Sequence, residues 1–365
     1  MTPPRTVLIV GTGLIGTSIA LALRSQGVEV LLADVDDHSV EIAASMGAGD
    51  PLADSATPEL VVVAVPPYAV AGVVVDQLKR FPDATVTDVA SVKATPLKQV
   101  SELCSDTSRF VGSHPMAGRE VSGPQGARSD LFVDRLWVVS AEPDSNERAV
   151  ANVRWLATTC GAVYIDVAPD EHDRAVALIS HVPQLVASLL AAQLATAKPE
   201  DIALAGQGVR DTTRLADSSA DLWADILAAN AGDVGQVLES LDADLQIVRA
   251  ALEAIAANDK EPADPGAIEV LRESVRKGNR GRSALPDKHG GAASTYITIP
   301  VDVEDRPGEL ARLFAAAGEA GVNLEDVRIE HTVGRMRATV ELAVSPKSAE
   351  VMRDVLSQGG WQTRG

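Results

Sequence analysis

The sequence predicts an α/β chain: an N-terminal doubly wound sheet of the Rossmann kind, then an all-helical dimerisation domain, then a small α+β module. Three observations carry that reading. In VLIVGTGLIGTSIALAL, Val7 to Leu23, a buried-strand run meets a glycine-rich turn and then a helical apolar pattern. Strand and helix signals then alternate as far as Asp166. At Pro169 the pattern changes to long helical runs, and after Ser294 it returns to strands.

Each part of the first stretch has a physical task. Gly11 permits a tight turn, Gly13 lets the backbone approach a pyrophosphate, and Gly16 lets the helix pack close to the strand. The helix that follows, beginning at Leu14 and Ile15, offers free N–H groups and a positive dipole end to phosphates. A second apolar strand, Val28 to Ala33, ends in Asp34, which stands 18 residues past Gly16, at the spacing of a carboxylate that binds a ribose diol. Val35, Asp36 and Asp37 follow, with no arginine to take a 2′-phosphate, so the expected cofactor is NAD rather than NADP.

Further strands are predicted at Leu60 to Pro67, Ala84 to Ser91, Arg109 to Ser113, Leu136 to Ser140 and Val163 to Asp166. Ligands of such sheets sit at the carboxyl ends of the strands, so Val65, Pro66, Ser91 and His114 are expected to converge there. The helical runs beyond Pro169, among them EHDRAVALISHVPQLVASLLAAQLA, are apolar around much of their circumference and predict an intertwined homodimer. The segment Lys277 to Ser294 carries glycine, proline and charge without periodicity and reads as a linker. The remainder follows a βαββα order with room for a last strand at the C-terminus. The expected domains are therefore 5–167 for the dinucleotide, 168–276 for substrate and dimerisation, 277–293 as linker, and 294–365 as the α+β module.

Composition bounds the function. A chain of 365 residues is long enough for two or three domains. The net charge of −19 argues against nucleic acid and anionic membrane surfaces as partners. Cys104 and Cys160 supply neither a disulfide framework nor a metal-ligand spacing, so no metal is expected and a reducing cytoplasm fits. No apolar run of the sequence reads as a membrane span.

Among six histidines, His114 in GSHPMAGRE is the one at a predicted strand end, where an imidazole can act as general base toward a substrate beside nicotinamide. The motifs GTGLIGTSIA, TDVASVK, VGSHPMAGRE, SHVP and RDTTRLADSSADLW, in this order, resemble the prephenate dehydrogenase family over roughly Thr6 to Ala256. The resemblance implies NAD-dependent oxidative decarboxylation of prephenate to 4-hydroxyphenylpyruvate on the route to tyrosine. It further implies that His114 takes the proton of the ring hydroxyl, that Ser91 orients the imidazole, and that Arg214 holds the ring carboxylate through a two-point guanidinium contact. Glu120 matches an acid at the mouth of the site. His181 matches a histidine near the substrate, and on an apolar helix it reads equally as a structural residue. The chain departs from the family at Gln184, where many relatives carry a second histidine. That places side-chain selectivity between prephenate and arogenate in question, with arogenate dehydrogenase as the alternative.

The C-terminal module resembles an ACT regulatory domain over about Thr295 to Gly365, with DRPGEL and GVNLEDVRIE as the matching segments. The resemblance implies an aromatic amino acid effector, tyrosine first, bound between paired modules at Gly308 and Asn323. Two rival readings fit the residues less well. A β-hydroxyacid dehydrogenase would need a helical lysine, and Lys198 is the only lysine between Asp170 and Ala256. A non-catalytic NAD and amino-acid sensor would not need Ser91, His114 and Arg214 together.

Overall fold

The computed structural model describes residues 2–118, 123–257, 264–285, 296–331 and 337–363. The chain divides into two compact units, Met1–Leu241 and Asp242–Gly365. In the first, eight strands form one sheet: β1 (Thr6–Val10), β2 (Glu29–Ala33), β3 (Asp50–Pro51), β4 (Leu60–Val63), β5 (Thr85–Asp88), β6 (Phe110–Pro115), β7 (Leu136–Ser140) and β8 (Val163–Asp166). Their spatial order is β3-β2-β1-β4-β5-β6-β7-β8. The pairs are parallel except β6 with β7, which is antiparallel. The chain reverses direction across the sheet between β1 and β4, the topological switch point at which such sheets open a ligand crevice.

Strand residues alternate between two cores. Val7, Ile9, Val30 and Leu32 pack with Ile19 and Leu23 of α1 (Leu14–Ser25) and with Val40 of α2 (Asp37–Ser45). Leu8, Leu31, Val61 and Val63 pack on the other face with Val70, Val74 and Leu78 of α3 (Pro67–Arg80) and with Val100 of α4 (Ala94–Leu103). Burying each such side chain contributes about 1.5–3 kcal/mol. Strands covered on both faces read as continuous apolar runs, which is why LVVV was legible. A further helix, α5 (Glu147–Thr159), packs Ala149 and Val153 against Val111 and Val139.

The helical part begins with α6 (Pro169–Val176) and α7 (Val182–Leu194), joined by a π-helical turn, Ala177–His181. Pro183 has no N–H to donate one turn back, and widening the turn before it lets the helix continue without a break. The run Pro169–Leu194 has a mean hydropathy of 1.7 over 18 residues, so by length and composition it does reach the size of a membrane span. This corrects the expectation from the sequence. Its buried face carries His172, Asp173 and His181, whereas Leu178, Ile179, Leu189 and Leu190 lie exposed. Then come α8 (Pro199–Ile202), α9 (Gln207–Thr213), a short 3-10 turn at Arg214–Ala216, α10 (Ala220–Ala229) and α11 (Ala231–Ala256).

In the second unit α12 runs Pro265–Ser283, so the first part of the expected linker is helical. Charge pairs support it instead: along the helix, Glu269 with Arg272 and Arg276 and Glu273 with Arg280, and across to α11, Lys277 with Asp244. The rest of that linker, 286–293, lies outside the described residues. The remaining elements are β9 (Ile297–Glu304), α13 (Glu309–Glu319), β10 (Asp326–His331), β11 (Arg337–Val344), α14 (Ala349–Gln358) and β12 (Gln362–Thr363). They form an antiparallel sheet in the order β10-β11-β9-β12, a split βαβ arrangement. Val301, Val303, Val340 and Leu342 pack with Leu313, Met352 and Leu356.

Candidate active site

The glycine turn has the geometry its sequence implies. Gly11 takes φ +102°, and a Cβ there would stand 2.3 Å from the Ala64 carbonyl oxygen. At Gly16 a Cβ would meet the Gly11 carbonyl oxygen at 1.9 Å. A Cβ on Gly13, by contrast, would meet nothing within 4 Å, which leaves the turn open on the side where a pyrophosphate approaches. The start of α1, at Gly13, Leu14 and Ile15, has neither a capping side chain nor an acidic residue in its first turn. By comparison α2 is capped by Asp36, and α5 by Asn146. The first N–H groups of α1 are thus left for an anion from outside the helix.

Asp34 stands just past β2, where Oδ2 accepts from the Thr12 N–H at 2.6 Å and from its hydroxyl at 3.0 Å, and Oδ1 accepts from the Asp36 N–H at 3.1 Å. These contacts fix the carboxylate beside the glycine turn. Val65 places Cγ1 3.2 Å from the Cβ position of Gly11, and Pro66 caps α3 at the end of β4. This cradle fits NAD: open at Gly13, uncapped at α1, and acidic rather than basic past β2.

His114 lies near the carboxyl end of β6, on the same edge of the sheet as Gly11, Asp34, Pro66 and Ser91. Four strand steps separate β2 from β6, roughly 19 Å at about 4.8 Å each, which spans a crevice from ribose to reacting base. The His114 Nδ1 faces His172 Nε2 at 2.9 Å, with the two rings edge to face. His172 Nδ1 in turn lies 2.7 Å from Asp173 Oδ1. The resemblance gives Ser91 an orienting role toward this imidazole; the contact at Nδ1 is made by His172. Ser91 stands half-buried in the loop between β5 and α4.

Asp173 is held by the backbone N–H groups of Lys93 at 2.8 Å and Ala94 at 2.9 Å. Burial raises its pKa, and the hydrogen bonds from His172, Lys93 and Ala94 outweigh that and leave it lowered. Beneath it the fully buried Lys93 pairs its Nζ with Asp88 Oδ2. Burial pushes the Lys93 ammonium pKa down while Asp88 opposes the shift. Burial also takes His114 well below the usual histidine range, and nearby His172, Lys93 and His181 add to the effect. His114 is therefore neutral at physiological pH and free to accept a proton.

His181 is buried, with its pKa pushed down to about 4 chiefly by burial. Its Nδ1 lies 3.1 Å from Asn230 Nδ2, which also donates to the Asp173 carbonyl at 2.8 Å, and its ring stands edge-on to Trp223. Gln184 donates through Nε2 to Ser218 Oγ at 2.7 Å. That contact ties α7 to the loop that follows Arg214, whose side chain is exposed and engaged. Glu120 lies outside the described residues. Gly308 begins α13 at φ +90°, and Asn323 donates to Glu325 at 2.8 Å. The two are not brought together within one chain. The register puts Gly308 beyond the Glu304 end of β9 and Asn323 beside the Thr298 end, about 20 Å apart along the strand.

Sequence reasoning missed His172, Asp173, Lys93, Asp88, Asn230 and Trp223. A signal was present in EHDRAVALISHVPQ, where polar His172, Asp173, His181 and Gln184 fall on the face that Val176 and Ala177 share, which marks buried polar groups.

One edge of the sheet thus joins a dinucleotide cradle to a neutral, withdrawn imidazole, a division of labour that makes the chain an NAD-dependent oxidoreductase. Family models agree: residues 19–166 match the nucleotide-binding domain of prephenate dehydrogenase, and residues 168–264 match its dimerisation domain. The chain belongs to the prephenate dehydrogenase family. It is 36% identical over 359 residues to the probable prephenate dehydrogenase NovF of Streptomyces niveus, covering 98% of this chain and 99% of that one. The Aquifex aeolicus prephenate dehydrogenase structure with hydroxyphenyl propionate and NAD+ superposes with TM-score 0.65 at 25% identity, covering 76% of this chain and 98% of that one. Synechocystis arogenate dehydrogenase gives TM-score 0.59 at 28% identity, covering 76% and 99%.

Proposed function

We propose that the chain oxidatively decarboxylates prephenate to 4-hydroxyphenylpyruvate, with His114 as base and Arg214 as the cation for the ring carboxylate. The observation that carries the reading is the placement of His114 at the carboxyl end of β6, on the edge that holds the NAD cradle. NAD, when bound, supplies the hydride acceptor. His114 takes the proton of the ring hydroxyl as hydride leaves the same carbon. It returns that proton to the oxygen as the carboxylate departs as carbon dioxide and the ring becomes aromatic. Arg214 holds that carboxylate until it leaves.

Gln184 supports a second reading. Its amide nitrogen is spent on Ser218, with Ser188 the next group at 3.5 Å, so the polar group it retains is an oxygen acceptor. An acceptor suits the ammonium of arogenate better than the keto group of prephenate.

Two partners complete the reading. Leu178, Ile179, Leu189, Leu190 and Leu222 are exposed in the segment that matches the dimerisation domain, which supports a homodimer through the helices. The split βαβ order of the C-terminal module supports an ACT-like regulatory domain. A cavity of about 300 Å³ there, lined by Arg306, Arg312 and Arg337 together with the acids Asp302, Glu304 and Glu309, offers both signs of charge to an amino acid such as tyrosine. Because Gly308 and Asn323 stand at opposite ends of the sheet, a site using both requires two modules. Steady-state assays with NAD and either prephenate or arogenate, with and without tyrosine, test the substrate and the effector. Higher kcat/KM for prephenate and inhibition by tyrosine are expected. Preference for arogenate would transfer the assignment to Gln184 and the second reading, and indifference to tyrosine would remove the effector.

A further inference from the structure

We infer that His172 and Asp173 are positioning residues that fix the tautomer of His114, so that its Nε2 carries the lone pair that receives the substrate proton. The inference rests on the reading of His114 as the base. It begins at Asp173, whose carboxylate is pinned at the start of α4 by the Lys93 and Ala94 N–H groups and is buried. A carboxylate only accepts, so the His172 Nδ1 facing it at 2.7 Å must carry a proton. A His172 that carries that one proton presents its Nε2 as an acceptor. The His114 Nδ1 at 2.9 Å must donate to it, and His114 Nε2 is left without a proton.

Neutral imidazole in water prefers the opposite tautomer, with the proton on Nε2. The three-residue chain therefore selects the minor form, the one competent to act as a base at Nε2. It also provides for the charge that forms. When His114 gains a proton at Nε2, its Nδ1–H can be shared with His172, and the Asp173 carboxylate faces the resulting cation. Other charged or titratable groups around the pair are Lys93, Asp88 and His181. The logic is that of an Asp-His pair orienting a catalytic group, with one imidazole more in the line.

The test has one arm that needs no substrate. In 15N NMR of the full-length protein labelled at histidine, His114 is expected to show a protonated Nδ1 and an unprotonated Nε2, with His172 protonated on Nδ1 alone. A proton on His114 Nε2, or a doubly protonated His172, would overturn the inference. The second arm compares His172→Gln with His172→Leu. The glutamine amide oxygen can accept from His114 Nδ1–H, whereas leucine offers nothing. Expected kcat losses are about tenfold for glutamine and on the order of 10²–10³-fold for leucine, with KM within about threefold in both. A folded leucine variant that keeps kcat within about twofold would refute the positioning role, as would equal losses in the two variants. Wild-type protein inactive on prephenate and arogenate alike would sink the base reading instead, while the NMR arm would still decide the tautomer.

Discussion

Gly13 and Gly16 stand three residues apart in one motif, yet the structure separates their tasks, and alanine at each should fail in a different way. Gly16→Ala puts a methyl 1.9 Å from the Gly11 carbonyl oxygen and 3.1 Å from Ala64 Cβ. That oxygen belongs to a backbone fixed by the Gly11 N–H bond to the Ala33 carbonyl at 2.8 Å, so α1 must shift away from the sheet. Alanine in a helix gains about 1 kcal/mol over glycine. Overpacking against an immobile atom costs about 3 kcal/mol or more. The net loss is at least about 2 kcal/mol, and with about 2–4 °C per kcal/mol for a unit of this size, Tm should fall by about 4–8 °C. Gly13→Ala meets nothing within 4 Å and sits at φ −74°, so its Tm should stay within about 2–4 °C of wild type. Its methyl instead occupies the approach of the pyrophosphate, and NAD affinity should fall about tenfold or more, some 1.4 kcal/mol. Thermal melts without NAD and calorimetric titration with NAD read the two effects. A Gly13→Ala protein that melts as low as Gly16→Ala while binding NAD normally would refute the division.

Two further outcomes follow from the site. Arg214→Ala should raise KM for prephenate by about tenfold or more with a smaller change in kcat, as loss of a carboxylate contact requires, and an unchanged KM in steady-state kinetics would count against the role. Lys93→Met leaves the Asp88 carboxylate buried without its cation and should cost about 3–5 kcal/mol in denaturant unfolding, whereas the double variant Lys93→Met/Asp88→Leu should recover most of that loss.

Much of this molecule was legible in its sequence where one residue type solves one local problem. Gly11 and Gly16 are required by carbonyl oxygens that lie too close for any Cβ, and Asp34 by the strand end it terminates. Legibility failed where the cause was nonlocal. Asp173 acquires its role from backbone N–H groups of a helix 80 residues earlier, and no spacing rule connects the two. His172 likewise reaches the His114 Nδ1 from a helix that begins more than 50 residues later, a contact no local motif announces. The end of α12 was misread because its support is ionic, along the helix surface, where an apolar pattern is silent.

The family's two segments meet at residue 167, as though nucleotide chemistry ended there and helical architecture began. The pairing of His114 with His172 crosses that seam. A nucleotide-binding half cut at the junction would keep His114, the proposed base, and lose the His172 that faces its Nδ1. A chimera would have to carry the His172-Asp173 pair and the Lys93-Ala94 turn that receives it as one inherited unit, which binds the history of the two segments together more tightly than their boundary suggests.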